Sequence, residues 1–350
     1  MPLLTTTIGA YPKPDYVPIP DWFRAEEGPD TARPTQGYLA ALAKMGEEAE
    51  ELFVRGTKEA IEDQVDAGID IPTDGEIRRE NYIHYHCRHL EGIDFENLTT
   101  RELRGGAYKA ELPSIIGPVK ARDHFLAHDW RAAQACTDRP VKITMPGPMT
   151  IIDTTANIHY DDERQLGADL AAALNAEVLS LAEAGCRMIQ IDEPVFARKP
   201  DIALAHGVEN LERCFHGLPD GVTRVMHMCC GYPDRLDHAD YPKADRDSYF
   251  RLAEAVDRSC IDAVSLEDAH RHNDLSLLEL FPNTKVIFGA VAIAKSRIES
   301  VEEIRERLQA ALEHIDAERL LAAPDCGLGL LGRERAVEKL QNLCAAAQSL

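Results

Sequence analysis

The sequence predicts an α/β fold: a (β/α)8 TIM barrel with an insertion between its second and third strands. Three observations predict it. Eight short apolar runs end in Gly, Pro or a polar cluster. Helical patterns alternate with them, which makes a closed parallel barrel the first architecture to consider. The reactive side chains Glu76, Asp192, Glu193, His227, Cys229, Glu267, Asp325 and Cys326 fall at or just past the ends of these runs, on the face where barrel enzymes gather their βα loops. An open doubly wound sheet is the competitor. It usually has fewer strands and wants a Gly-rich nucleotide loop after the first, which this chain lacks.

The runs, in order, are Thr5–Ala10, Gly68–Thr73, Val141–Met145, Arg187–Asp192, Arg224–Cys229, Ala263–Glu267, Lys285–Val291 and Leu320–Asp325. Most are apolar at successive positions, as parallel strands covered on both faces should be. Residues 11–37, rich in Pro and aromatics (YPKPDYVPIPDWF), read as an ordered loop. The gap before the third strand is too long for one helix. Residues 76–140, with NYIHYHCRHLEG and the Gly105–Gly106 pair, are therefore expected as an insertion over the barrel mouth. Helical spacing of apolar residues marks Gly167–Ala184, stopped by Gly185, then Asp247–Asp257 and Val301–Ile315. With no repeat, low-complexity tract or second domain, residues 1–350 read as one catalytic barrel domain.

Composition narrows the function. Lys plus Arg total 38 against 60 Asp plus Glu, a formal charge of -22, and an acidic surface repels phosphate backbones, so nucleic acid is excluded as a general partner. No run approaches the roughly 20 apolar residues of a membrane span. The opening MPLLTTTIGAYPKP has neither the basic flank nor the apolar stretch of a secretory signal, so the expected location is cytoplasmic. Nine cysteines without regular spacing point to buried thiols plus a metal or catalytic site rather than to disulfides.

In VMHMCCG, His227 and Cys229 are two residues apart at a strand end, so both side chains point the same way. SLEDAH puts Glu267 at the end of the next strand and APDCG puts Cys326 at the end of the eighth. One imidazole, two thiolates and a carboxylate form a borderline-soft set suited to tetrahedral Zn2+. Cys230 is a rival ligand, but adjacent strand residues face opposite ways, which turns it into the wall. Cys87, Cys136, Cys186, Cys214, Cys260 and Cys344 read as structural thiols. His84, His86 and His89 lie in the expected loop without an evident ligand set, as substrate contacts or exposed side chains.

At these residues the chain resembles the catalytic C-terminal half of the cobalamin-independent methionine synthases, in a short, core-type form. TTTIGAYPKP is similar to that family's opening segment, TDGEIRREN to its GE-x-x-R segment, PGPMTI to its GPVT segment, and IQIDEP to its counterpart; HMC, the Glu of SLED and PDCGL complete the order. The resemblance implies zinc on His227, Cys229, Glu267 and Cys326. It also implies an amino-acid thiol whose ammonium is held by Glu76 and Asp192, with the backbone around Ile8, Gly9 and Ala10 beside its carboxylate. Zinc lowers a thiol's pKa, and a free thiol near 8.5 is mostly protonated at neutral pH.

Four departures bear on that expectation. The N-terminal half of the long enzymes is absent. The tryptophan that stacks on folate is replaced by the stretch Asp153-Thr154-Thr155. The Ser beside the substrate carboxylate is Ala10. The histidine expected after the seventh strand is missing, and AIAKSRIES offers Lys295 instead, as a catalytic contact to a substrate anion or as a solvated charge.

The expected function is zinc-dependent methyl transfer to the thiol of homocysteine, giving methionine. The expected donor is not free folate; a methylcorrinoid, as methylcobalamin or on a corrinoid protein, is the first candidate. The alternative is a zinc thiol transferase or lyase of the epoxyalkane–coenzyme M type. Glu76 and Asp192 discriminate, because two carboxylates suit an ammonium-bearing thiol and repel a sulfonate. Zinc storage is a poor third, since the ligands sit on the active face of the barrel.

Overall fold

The structure, a computed structural model, describes residues 2–24, 32–103, 108–231, 233, 235–238 and 243–350. Ten strands lie among these residues: β1 Leu4–Thr5, β2 Leu90–Leu103, β3 Tyr108–Ala121, β4 Ile143–Pro146, β5 Ala156–Asn157, β6 Met188–Asp192, β7 Thr223–Met228, β8 Ala263–Leu266, β9 Lys285–Val291 and β10 Leu320–Pro324. Seven form one curled parallel sheet in the order β1-β10-β9-β8-β7-β6-β4. Its strands are short apolar runs buried throughout in β4, β6, β8 and β10.

Helices supply the crossovers that parallel strands require. Glu163–Ala184 begins at an Asp162 cap and ends at Gly185, whose φ of 113° suits glycine. Val301–Ala311 begins at a capping box of Ser300 and Glu303. Asp247–Asp257 runs as its spacing predicts.

The two faces of the sheet carry different cargoes. Ile189, Ile191, Met226, Met228, Val264 and Leu266 join the main core beneath the helices. The alternate residues Met188, Val225, Ala263, Ile287, Leu321 and Ala323, with Ile8, form a separate cluster. Each Val, Leu, Ile or Met side chain among these contributes about 1.5–3 kcal/mol on burial. Because side chains alternate along a strand, Gln190, Asp192, His227 and Ser265 stand on the same side as this apolar layer, one or two steps nearer the strand ends. A polar tier therefore lies directly on an apolar floor.

Three expectations need correction. Gly68–Thr73 does not form a regular strand; it makes isolated parallel bridges, Thr6 to Ile71 on one side and Thr73 to Lys142 on the other. Pro72 has no N–H to give, so a continuous ladder cannot form there. Residues 76–140, expected as an insertion, are not a loop where His84 and His86 stand. They hold the helix Tyr82–Cys87, the antiparallel β2–β3 hairpin and the helix Leu126–Gln134, whose first N–H donates to Glu177 of the crossover helix at 2.7 Å. Finally, a helix beginning at Ala32 takes over the end of the expected 11–37 loop. Residues 25–31 of that loop and the Gly105–Gly106 pair lie outside the described residues.

No helix among the described residues is long and apolar enough to cross a membrane.

Candidate active site at the strand ends

His227 is the penultimate residue of β7 and pairs in register with Ser265 of β8. The register places the Ser265 hydroxyl 2.9 Å from Nδ1 of the imidazole. Nε2 is thereby turned to Cys326, whose Sγ lies 3.3 Å away just beyond β10. Cys229 follows β7, and its Sγ lies 3.9 Å from that of Cys326. The ligand atoms of His227, Cys229 and Cys326 all lie within 4.8 Å of one another.

These donors fit zinc. Two sulfurs each about 2.3 Å from a tetrahedral zinc stand about 3.8 Å apart, close to the observed separation. The Cys326 sulfur beside it, together with burial, holds the Cys229 thiol well above the usual thiol range. Two buried thiols pressed together resist ionisation, and a divalent cation between them reverses that balance.

Glu267 stands outside this trio. Its carboxylate accepts from Tyr249 Oη at 2.7 Å and from Cys230 Sγ at 3.3 Å. Cys230 accordingly engages Glu267 and is not one of the three clustered donors.

The two expected ammonium-binding carboxylates are both buried at the same mouth. Glu76 has φ 56°, a left-handed conformation that few non-glycine residues adopt, and such strain costs on the order of 1–3 kcal/mol. Its Oε1 accepts from Thr144 Oγ1 at 2.7 Å and lies 3.4 Å from Arg79 Nη1. Burial raises its pKa and Arg79 opposes the rise. Gly9 has to be glycine here, because a Cβ would stand 2.6 Å from Glu76 Oε1. Asp192, at the end of β6, is pushed up to about 7 by burial and by Glu76, against the pull of His227 and a hydrogen bond from Gln190.

Two further strand-end acids hold loops instead. Glu193 accepts from the Met149 and Thr150 N–H groups, both at 3.0 Å, tying the end of β6 to the first turn of the helix Pro148–Asp153 that follows β4. Asp325 accepts from the N–H groups of Asp268, Ala269 and His270, tying β10 to the loop after β8.

Ile8, Gly9, Ala10, Glu76, Asp192, His227, Cys229 and Cys326 line one cavity. Tyr82, Pro194, Gly231 and Gly327 complete its wall. Tyr82 was hidden in the segment read as an insertion; Gln190 and Ser265 were signalled by their two-residue spacing from Asp192 and Glu267. Lys295 is exposed and does not line this cavity. His84 and His86 are buried, bonded to Thr154 O at 3.0 Å and Tyr82 O at 2.6 Å; His89 pairs with Asp123 at 2.5 Å. At the stretch that replaces the expected tryptophan, Asp153 pairs with Lys199 at 2.7 Å and Arg198 at 3.1 Å.

Fold and site together define a class: parallel α/β proteins with a thiol-rich metal donor set and buried carboxylates at the mouth of the sheet. Comparison with known proteins makes it specific. The chain belongs to the family of the cobalamin-independent synthase catalytic domain, whose family model matches residues 3–349. It is 30% identical over 346 residues to a methionine synthase of Sulfolobus acidocaldarius, covering 97% of this chain and 90% of the relative. It is 30% identical over 350 residues to one of Saccharolobus solfataricus, covering 98% and 93%. A solved B12-independent methionine synthase from Shewanella sp. W3-18-1, in complex with selenomethionine, superposes with a TM-score of 0.86 at 32% identity, covering 100% of this chain and 98% of that one. At family level this places the chain among methyltransferases of methionine biosynthesis that act on homocysteine. The expected corrinoid donor is not favoured: the family is described as cobalamin-independent and the solved relative as B12-independent. The epoxyalkane–coenzyme M alternative is likewise not favoured.

Proposed function

We propose that this chain methylates the thiol of homocysteine to give methionine, using zinc held by His227, Cys229 and Cys326, with Glu267 as a fourth donor. One observation carries the reading: the three clustered donors share a single cavity with two buried carboxylates. Zinc bound there would lower the thiol's pKa so that sulfur attacks as thiolate. The carboxylates of Asp192 and Glu76 receive the substrate ammonium, and the backbone at Ile8, Gly9 and Ala10 receives its carboxylate. Ser265 holds the His227 ring in one orientation. In the transfer, the substrate sulfur forms a bond to the methyl carbon, the donor's bond to that carbon breaks with its electron pair leaving on the donor, and the thiol proton departs to solvent. The Shewanella relative was solved in complex with selenomethionine, which supports a methionine-type ligand at this site.

The same reading extends to architecture. The bridges at Ile71 and Thr73 stand for an eighth, proline-interrupted strand that closes the sheet into a barrel, and residues 76–140 cover its mouth as part of one domain. A reducing cytoplasm suits nine free cysteines.

The test is methionine formation from homocysteine by zinc-loaded protein, with methyl-tetrahydrofolate mono- and triglutamate as donors and methylcobalamin as the comparison. Coenzyme M replaces homocysteine in a parallel arm. Faster methylation of coenzyme M than of homocysteine would overturn the reading.

A further inference from the structure

Lys142 and Gln190 are fully buried on the side of the sheet that carries the site, and the reaction as described uses neither. Lys142 immediately precedes β4, and Gln190 lies on β6 opposite Thr144. Nζ of Lys142 donates to Oε1 of Gln190 at 2.6 Å. Nε2 of Gln190 donates twice, to Asp192 Oδ1 at 2.7 Å and to the Ile8 carbonyl at 2.8 Å.

We propose that Lys142 and Gln190 are positioning residues, which through one amide fix both groups that grip the amino-acid end of the substrate. This rests on the functional reading above. An amide can be placed either way round, but here only one way is consistent. The Ile8 carbonyl can only accept, so the amide nitrogen must face it and Asp192, which leaves the Gln190 oxygen to accept from Lys142 Nζ. The amide nitrogen then has two hydrogens and meets two acceptors. Reversed, the amide would set donors against the ammonium and its oxygen against a carboxylate and a carbonyl.

The consequences reach both ends of the substrate. Asp192 is held with one oxygen engaged from below, which leaves its other oxygen for an ammonium. The Ile8 carbonyl is held toward Gln190. In a planar trans peptide the next N–H points the opposite way, so the Gly9 N–H is directed away from Gln190, on the cavity side. A buried lysine without a carboxylate in contact is a poor stabiliser, and apolar residues in such places often serve stability better. Its role lies in the site.

The experiment is calorimetric binding of L-methionine and of 4-(methylthio)butyrate, the same molecule without its amino group, to zinc-loaded protein. Wild type prefers methionine. In Lys142→Met and Gln190→Glu this preference falls about tenfold or more, the factor expected from one hydrogen bond to a charged group, with zinc content unchanged. Gln190→Glu is the sharper variant: it keeps its size and an acceptor for Lys142 but loses both donors, so it also carries the test if Lys142→Met does not fold. A wild-type preference in Gln190→Glu overturns the inference and leaves the functional reading standing. No preference in wild type itself overturns the functional reading, and the inference with it.

Discussion

His227 and Ser265 face each other across β7 and β8, with Nδ1 2.9 Å from the serine oxygen. That contact decides which ring nitrogen meets Cys326. A partner on the far nitrogen of a metal-binding imidazole typically matters 10- to 100-fold in metal affinity. Ser265→Ala is therefore expected to weaken zinc binding by about that factor, read by competition with a chelator of known affinity. Unchanged affinity would show that packing alone orients the ring.

Metal content follows from the donor cluster. Purified protein is expected to carry about one zinc per chain, as a single site of this kind holds. Cys229→Ser and Cys326→Ser are expected to lose most of it, while Cys344→Ser, a buried thiol away from the cluster, keeps it. Elemental analysis reads the outcome, and full zinc in Cys326→Ser would refute the assignment.

Removing one charge from the ammonium pocket leaves the metal in place. Asp192→Asn and Glu76→Gln keep side-chain size, and losing a buried charge partner typically costs several kcal/mol. Homocysteine use is expected to fall on the order of 10²-fold or more at unchanged zinc content. Steady-state kinetics with homocysteine as the varied substrate is the check; a change in the metal alone would mean the two carboxylates serve the fold.

The same pocket predicts a pH dependence. Burial holds the Asp192 carboxyl at about 7. Below that pH the group is neutral and no longer attracts an ammonium; above it the carboxylate is restored. Affinity for L-methionine is expected to fall as pH drops below about 7, approaching tenfold per unit. For 4-(methylthio)butyrate, which brings no ammonium, that fall should vanish. Parallel pH dependence for both ligands would place the titrating group elsewhere.

Much of this site was legible in the sequence because its residues sit at ends of continuous apolar runs. The two-residue spacing of His227 and Cys229 puts both on one side, and the middles of β7 to β10 are mostly apolar. What escaped is tertiary. Tyr249, on a distant helix, engages Glu267, and no spacing along β8 shows this. The β2–β3 hairpin was missed because register shifts at Glu91/Ile93 and Asp94/Thr99 break its alternation. Pro72 interrupts an apolar run that otherwise reads as a strand. Lys295 was placed by its position after β9, but the chain there turns the side chain to solvent.

The central claim is that the substrate thiol joins a zinc held by His227, Cys229 and Cys326. Zinc-edge X-ray absorption, on zinc-loaded protein with and without homocysteine, tests it most directly. The account predicts that homocysteine adds one sulfur to the two supplied by Cys229 and Cys326. An unchanged sulfur shell in protein shown to have homocysteine bound would contradict it.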